Sequence, residues 1–224
     1  MDSSWLQHAQ ILDSALPIGA FSHSFGLETL IAEDCIRDAN DLKNFVESVL
    51  LGGWSSSDAL LVKGAYTLQE ADIWRLDTLL DTGRVSRETR EGMRKMGRQG
   101  LKLARAIHPH LDFASVEQAM HSGQCVGSWP LIYGVWTREL SVPIDRAVEG
   151  YLYGCSAAAL GNAVRLSLVG QTAAQSLLSH LLPAIEAAWK NVQDRDPFDF
   201  CTSLPVLEVA QMRHESQHAR LFMS

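Results

Sequence analysis

The segment from Pro143 to Val169 places the tightest limit on what this chain can fold into. Val148, Tyr151, Leu152, Cys155, Ala159, Asn162, Ala163 and Leu166 recur at helical spacing and form one continuous stripe. Gly150, Gly154, Ala157, Ala158 and Gly161 lie around that stripe, so the helix is apolar or small on nearly every side. Such a helix belongs inside a bundle with its neighbours packed close, Gly154 included. Other periodic stretches also read as helices: Trp5 to Asp13, Ser57 to Gln69, Ile73 to Leu80 with its end at Gly83, Ser115 to His121, and Ser128 to Leu140. Asp38 to Leu51 has a cap in Asp38 or Asn40 and a stop at Gly52-Gly53. Thr172 to Asn191 carries Pro183, which should kink or break it. No hairpin signal and no clean period-two strand is found. The expected fold is all-α, a single-domain bundle of roughly ten helices over residues 1–224 with the 143–169 segment at or near its centre.

Composition narrows the function classes. Hydrophobic residues make up 46% and charged residues 20%, ordinary for a chain with a sizeable core. The formal net charge of -7 argues against a general nucleic-acid or anionic-membrane surface. Cys35, Cys125, Cys155 and Cys201 are scattered with no C-x-x-C pair, which points to a reducing cytoplasm rather than a disulfide framework or a cysteine zinc site. The opening residues lack the basic head and apolar run of a leader. The most apolar stretch, Tyr151 to Leu160, is too short to span a bilayer and lies between Glu149 and Arg165.

One helix differs from the rest. Between Arg84 and Arg105 lie Arg87, Arg90, Arg94, Lys95, Arg98 and Lys102, with Ser86 placed to cap and Glu88 favourable in the first turn. On an acidic chain, such a basic face is either solvated or meets an acidic partner. Gly92, Gly97 and Gly100 each weaken this helix by about 1 kcal/mol relative to alanine, which implies close backbone packing or a segment that yields.

Two segments carry the functional question. In the stretch Leu12 to Glu28, Pro17 disfavours helix before it and Gly19 permits a backbone angle other residues resist. A helix should end near Ser14 and another start at Ser22 or Ser24, either of which can cap it. Phe21 and Phe25 should be buried, with His23 at the junction. The second segment, Arg213 to Ser224, contains a literal H-E-x-x-H at His214, Glu215 and His218. On a helix the two histidines would share a face and Glu215 could act as base beside zinc, the signature of a zinc-dependent hydrolase. A third ligand is wanting, since residues 219–224 contain no His, Glu, Asp or Cys. No P-loop, Rossmann glycine pattern or nucleophile elbow is present, so no motif calls for a cofactor. His8, His108, His110, His121 and His180 are isolated and read as surface or capping residues.

Four stretches together carry a resemblance. Ser14 to Glu28, with Pro17, Gly19, Phe21, Ser24, Gly26 and Glu28, is similar to the N-terminal signature of the urease accessory protein F family, S-x-L-P-[VI]-G-[GA]-[FY]-[ST]-x-S-x-G-L-E. Arg87 to Glu91 resembles that family's R-E-T-R-E run. Residues 160–171, including Arg165, resemble its [AG]-V-[RK]-L-x-P-[LF]-G-Q run, with Leu168 in place of the proline. Residues 213–224, with Arg213, His214, Glu215, Gln217, Arg220, Leu221 and Phe222, resemble its closing R-H-E-x-Q-x-x-R-L-F-x-S, with Met223 where relatives often have a basic residue.

The resemblance implies an all-helical, dimeric cytoplasmic adaptor without catalysis of its own. Its partners would be a scaffold (accessory protein D, also called H), a nickel-carrying GTPase (accessory protein G) that it regulates, and apo-urease, which undergoes lysine carbamylation and nickel insertion. On this reading the tail is a partner-binding segment, anchored by Leu221 and Phe222. It would be mobile in the isolated chain and ordered in the complex.

Overall fold

A computed structural model of the chain describes residues 4–224; the opening residues 1–3, read above for a leader, lie outside them. Among the described residues there are eleven α-helices and no strand, so the fold is all-α. In order they are α1 (Ser4–Leu12), α2 (Leu27–Ala32), α3 (Ala39–Val49), α4 (Asp58–Thr67), α5 (Glu70–Gly83), α6 (Arg87–Ile107), α7 (Ala114–His121), α8 (Trp129–Glu139), α9 (Ile144–Arg165), α10 (Gln171–Lys190) and α11 (Pro205–His214). No helix among them is long and apolar enough to cross a membrane.

Local chemistry sets several of these bounds. The Asp38 carboxylate accepts the N–H groups of Asn40 and Asp41 and starts α3, and the Ser86 hydroxyl accepts the Thr89 N–H and starts α6. Pro130 sits in the first turn of α8, where its missing N–H costs nothing. At the end of α9, Ser167 takes a left-handed φ of 60°, while Leu168 N–H reaches back to Ala163 and Ser167 N–H to Val164. This Schellman closure ends the helix at Arg165, four residues before the expected Val169.

α9 is central as expected: it packs along α10 and also touches α1, α2, α3, α4 and α8. α4 lies on α8, and α8 lies on α6. Tyr133, Trp136, Leu131, Ile132 and Leu152 are among the largest fully buried side chains. A buried ion pair runs through this core. Arg84 Nη2 donates to Asp58 at 2.6 Å, and the Tyr151 hydroxyl donates to the other Asp58 oxygen at 2.9 Å. Asp77, wholly buried, accepts the N–H groups of Val126 and Gly127 at 2.9 Å and so shapes the loop before α8, against which α6 rests. A Cβ on Gly97 would lie 1.9 Å from the Gly127 carbonyl oxygen, so close backbone packing accounts for this glycine in α6.

Four local expectations change. Gly52-Gly53 does not stop the chain; a π-helical turn (Leu50–Trp54) runs through both, and residues 203–204 press against them where other residues would carry side chains. α10 continues through Pro183 without interruption. Gly154 is not packed against a neighbour: the nearest atom to a Cβ there is Leu12 Cδ2 at 4.0 Å, because the residue faces a groove. His8 is buried rather than at the surface, its Nε2 2.7 Å from the Tyr133 hydroxyl, whereas His108 takes the capping place of the two expected, closing α6 at its C-cap, with its buried Nδ1 accepting from the Trp136 indole.

Candidate functional site

The corner and the tail, distant in sequence, meet at one place. The corner begins with exposed Pro17 and with Gly19 at φ 89°, followed by a 3-10 turn (Ala20–Ser22). No helix starts at Ser22 or Ser24. Phe25 at φ 50° and Gly26 at φ 94° turn the chain first, so α2 begins at Leu27 without a side-chain cap. Gly26 also admits α11 closely: a Cβ there would lie 2.9 Å from Leu207 Cδ1. The serine hydroxyl expected to cap a helix is used elsewhere: Ser24 Oγ donates to the Ser224 carbonyl oxygen at 2.8 Å. That carbonyl also accepts the N–H groups of Ser24 and Phe25, and Met223 N–H donates to Ser22 O at 2.7 Å.

The tail is therefore ordered against its own chain, which corrects the expectation of a segment mobile until a partner arrives. Glu28, 7% exposed, holds it. One Glu28 oxygen accepts Leu221 N–H at 2.6 Å; the other accepts Phe222 N–H at 3.1 Å and faces His214 Nε2 at 2.9 Å. His214 Nδ1 lies 2.7 Å from Glu88 of α6, whose second oxygen receives Arg220 Nη1 at 2.7 Å. Each nitrogen of the buried His214 ring thus faces a carboxylate, one from α2 and one from α6. Arg220 on Glu88 and the two tail N–H groups on Glu28 complete a largely buried cluster in which both carboxylates are partnered, the condition under which such groups are tolerated.

The H-E-x-x-H reading loses its geometric premise here. α11 ends at His214 with Glu215 as its C-cap, so His214 and His218 do not stack on one helical face. Both His214 nitrogens are occupied by carboxylates. Glu215 pairs at the surface with Arg87 at 3.2 Å.

Phe222 is 4% exposed, and the Arg165 guanidinium lies 4.5 Å from its ring centroid. Arg165 also donates to the Phe21 carbonyl, so it bridges corner and tail. The Phe21 side chain itself is 40% exposed rather than buried, and Phe25 is half-buried with its ring stacked on His23. The reason is the left-handed turn at residues 25–26, which commits the local interior to His23 and Ser24. Leu221 is 54% exposed, so only Phe222 of the two expected anchors is buried. Arg213 is exposed and pairs with Glu33 at 3.2 Å. Gln217 is half-buried, its carbonyl oxygen without a hydrogen-bond partner among the described residues.

His23 Nδ1 lies 2.7 Å from Ser224 Oγ, and its backbone carbonyl accepts from Asn162 of α9. Burial, and next the nearby Lys95, push its pKa down to about 4. Sequence reasoning gave Glu88 only a helix-dipole role and gave Gln211 and Ser224 none. Gln211 ties α11 to the Phe25 carbonyl and to Thr89. The one sequence signal for this meeting was that the corner, the Arg87–Glu91 run and the tail all carried the same resemblance.

Comparisons with known proteins agree with that signal. The UreF family model matches residues 36–182. A urease accessory protein UreF of Paenarthrobacter aurescens (strain TC1) is 35% identical over 215 residues, 96% of this chain and 96% of the relative. One of Lachnoclostridium phytofermentans is 33% identical over the whole of both chains, and one of Streptococcus salivarius (strain 57.I) is 30% identical over 98% of this chain and 94% of its own. On this match across nearly the whole length, the chain belongs to the UreF family of urease accessory proteins.

Proposed function

We propose that this chain is a non-catalytic adaptor of cytoplasmic urease maturation. It assembles with the scaffold accessory protein D/H and the GTPase accessory protein G, regulates that GTPase, and promotes lysine carbamylation and nickel insertion in apo-urease. Family membership over nearly the full length supports this reading. The observation that carries it is the ordered tail: Glu28, His214 and Glu88 fix residues 213–224 so that Arg213, Leu221 and Met223 point to solvent on a preformed surface. A preformed site spares a partner the ordering entropy of about 1–2 kcal/mol per residue.

In this proposal residues 1–224 form one domain, with 213–224 as its partner-binding tail, and Arg165 belongs to the site by holding Phe222. A homodimer is also proposed. It is favoured by an apolar groove of about 680 Å³, bordered by Phe21 and by Gly154, Ala157, Ala158 and Gly161 of α9, whose small side chains admit close approach. Sedimentation showing only monomer at micromolar concentration would end that part.

The test of the adaptor role is affinity purification from cells carrying an intact urease operon, with wild type and Leu221→Asp. The wild type should bring down the scaffold and the GTPase and support urease activation. Leu221→Asp should lose both while melting at the same temperature. Retained partners and full urease activity in the variant would refute the assignment of the tail.

A further inference from the structure

α6 holds seven cations against two carboxylates on a chain whose formal net charge is -7. Most are engaged within the molecule. Arg87 pairs with Glu215 and Glu91, Arg94 with Asp81, and Arg105 with Glu117, while Arg90 donates to the carbonyls of Arg84 and Val85. Lys95, Arg98 and Lys102 remain, exposed and without an ion pair among the described residues. Their spacing of three and then four residues puts them on one face, in a row spanning about 10 Å.

The opposite face is fixed in the core by Met93, Met96, Leu101 and Ala104, so the row cannot roll inward to find carboxylates. At one end Lys95 borders a cleft of about 380 Å³, shared with Arg87, Glu91, Arg220 and Met223.

We propose that Lys95, Arg98 and Lys102 form a docking surface for an acidic helical segment of a partner protein. Carboxylates on that helix at matching three- and four-residue intervals would meet the three cations. Charge complementarity selects this occupant. A nucleic acid is disfavoured because the row is narrow, carries no aromatic platform on α6, and belongs to an acidic body. A lipid surface is disfavoured because the apolar face of α6 is spent on the core. This inference is independent of what the tail binds.

The experiment uses the full chain and two synthetic helical peptides of identical composition. One carries its glutamates on a single helical face, and the other has them scrambled. Binding is read by fluorescence anisotropy at about 50 and about 300 mM salt. A random duplex DNA and phosphatidylserine vesicles serve as the competing occupants. The face-patterned peptide should bind at least about tenfold more tightly than the scrambled one and weaken as salt rises. The triple variant Lys95→Gln, Arg98→Gln, Lys102→Gln should abolish that difference while its melting temperature stays with the wild type. Should the triple variant melt early, Arg98→Gln alone, in the middle of the row, supplies the comparison. Equal binding of the two peptides, unchanged binding by the variants, or stronger capture of DNA or vesicles would overturn the proposal.

Discussion

Across 186 positions of sequence, the Nε2 atom of His214 lies 2.9 Å from a carboxylate oxygen of Glu28, with no exposure of the imidazole. The same carboxylate takes two backbone N–H groups from the tail, so one side chain on α2 sets the path of residues 214–222.

Glu28→Ala removes an acceptor from three donors at once and leaves the buried His214 ring with one carboxylate partner. Breaking a buried pair from one side costs about 3–5 kcal/mol. Urea unfolding should show a loss of that size, and limited proteolysis should cut within residues 213–224 before the rest of the chain. A variant as stable and protease-resistant as wild type would contradict this account of the tail.

Phe222 and Leu221 should separate cleanly. Phe222 is buried under Arg165, so Phe222→Ala should cost about 3–5 kcal/mol. Leu221 is 54% exposed, so Leu221→Ala should stay within about 0.5 kcal/mol of wild type in the isolated chain. Thermal melts of both variants measure the contrast.

His23 should make stability depend on pH in the acid range. Its folded-state pKa of about 4 lies below the ordinary 6.5, burial being the first cause and Lys95 the second. Between those values the unfolded chain holds a proton that the folded chain does not. This contribution is therefore complete above pH 6.5 and is lost as pH falls toward 4, by up to about 1.4 kcal/mol per pH unit. Denaturation midpoints across pH 4 to 7 should fall less steeply for His23→Gln than for wild type.

Gly97 and Gly154 should respond in opposite directions to alanine. At Gly97 the new methyl meets the Gly127 carbonyl and the Ser128 backbone, which cannot step aside as a side chain would; the cost should be about 3 kcal/mol or more. At Gly154 nothing among the described residues approaches closer than 4.0 Å, so alanine should gain up to about 1 kcal/mol of helix propensity. Chemical denaturation of the two variants reads both signs.

The helices were largely determined by the sequence alone. Apolar spacing, the Asp38 and Ser86 caps and the Pro130 first turn act within four residues of themselves, so local order carries their information. The stripe on α9 likewise announced a central helix, because a helix with almost no polar side has nowhere else to go.

Tertiary structure decided the rest. Ser24 leaves its capping role because Ser224 arrives 200 residues later to accept from that hydroxyl, and Phe21 is exposed because the left-handed turn at residues 25–26 gives the local interior to His23 and Ser24. Gly97 is tight and Gly154 open, although both are glycines in helices, because one faces the loop held by Asp77 and the other faces a groove. The H-E-x-x-H letters suggested a metal site, yet His214 took two glutamates from two other helices, and no local pattern encodes which carboxylates a folded chain will bring within 3 Å of an imidazole. Periodicity and capping are short-range and survive in sequence, whereas long-range pairing depends on the path of the whole backbone.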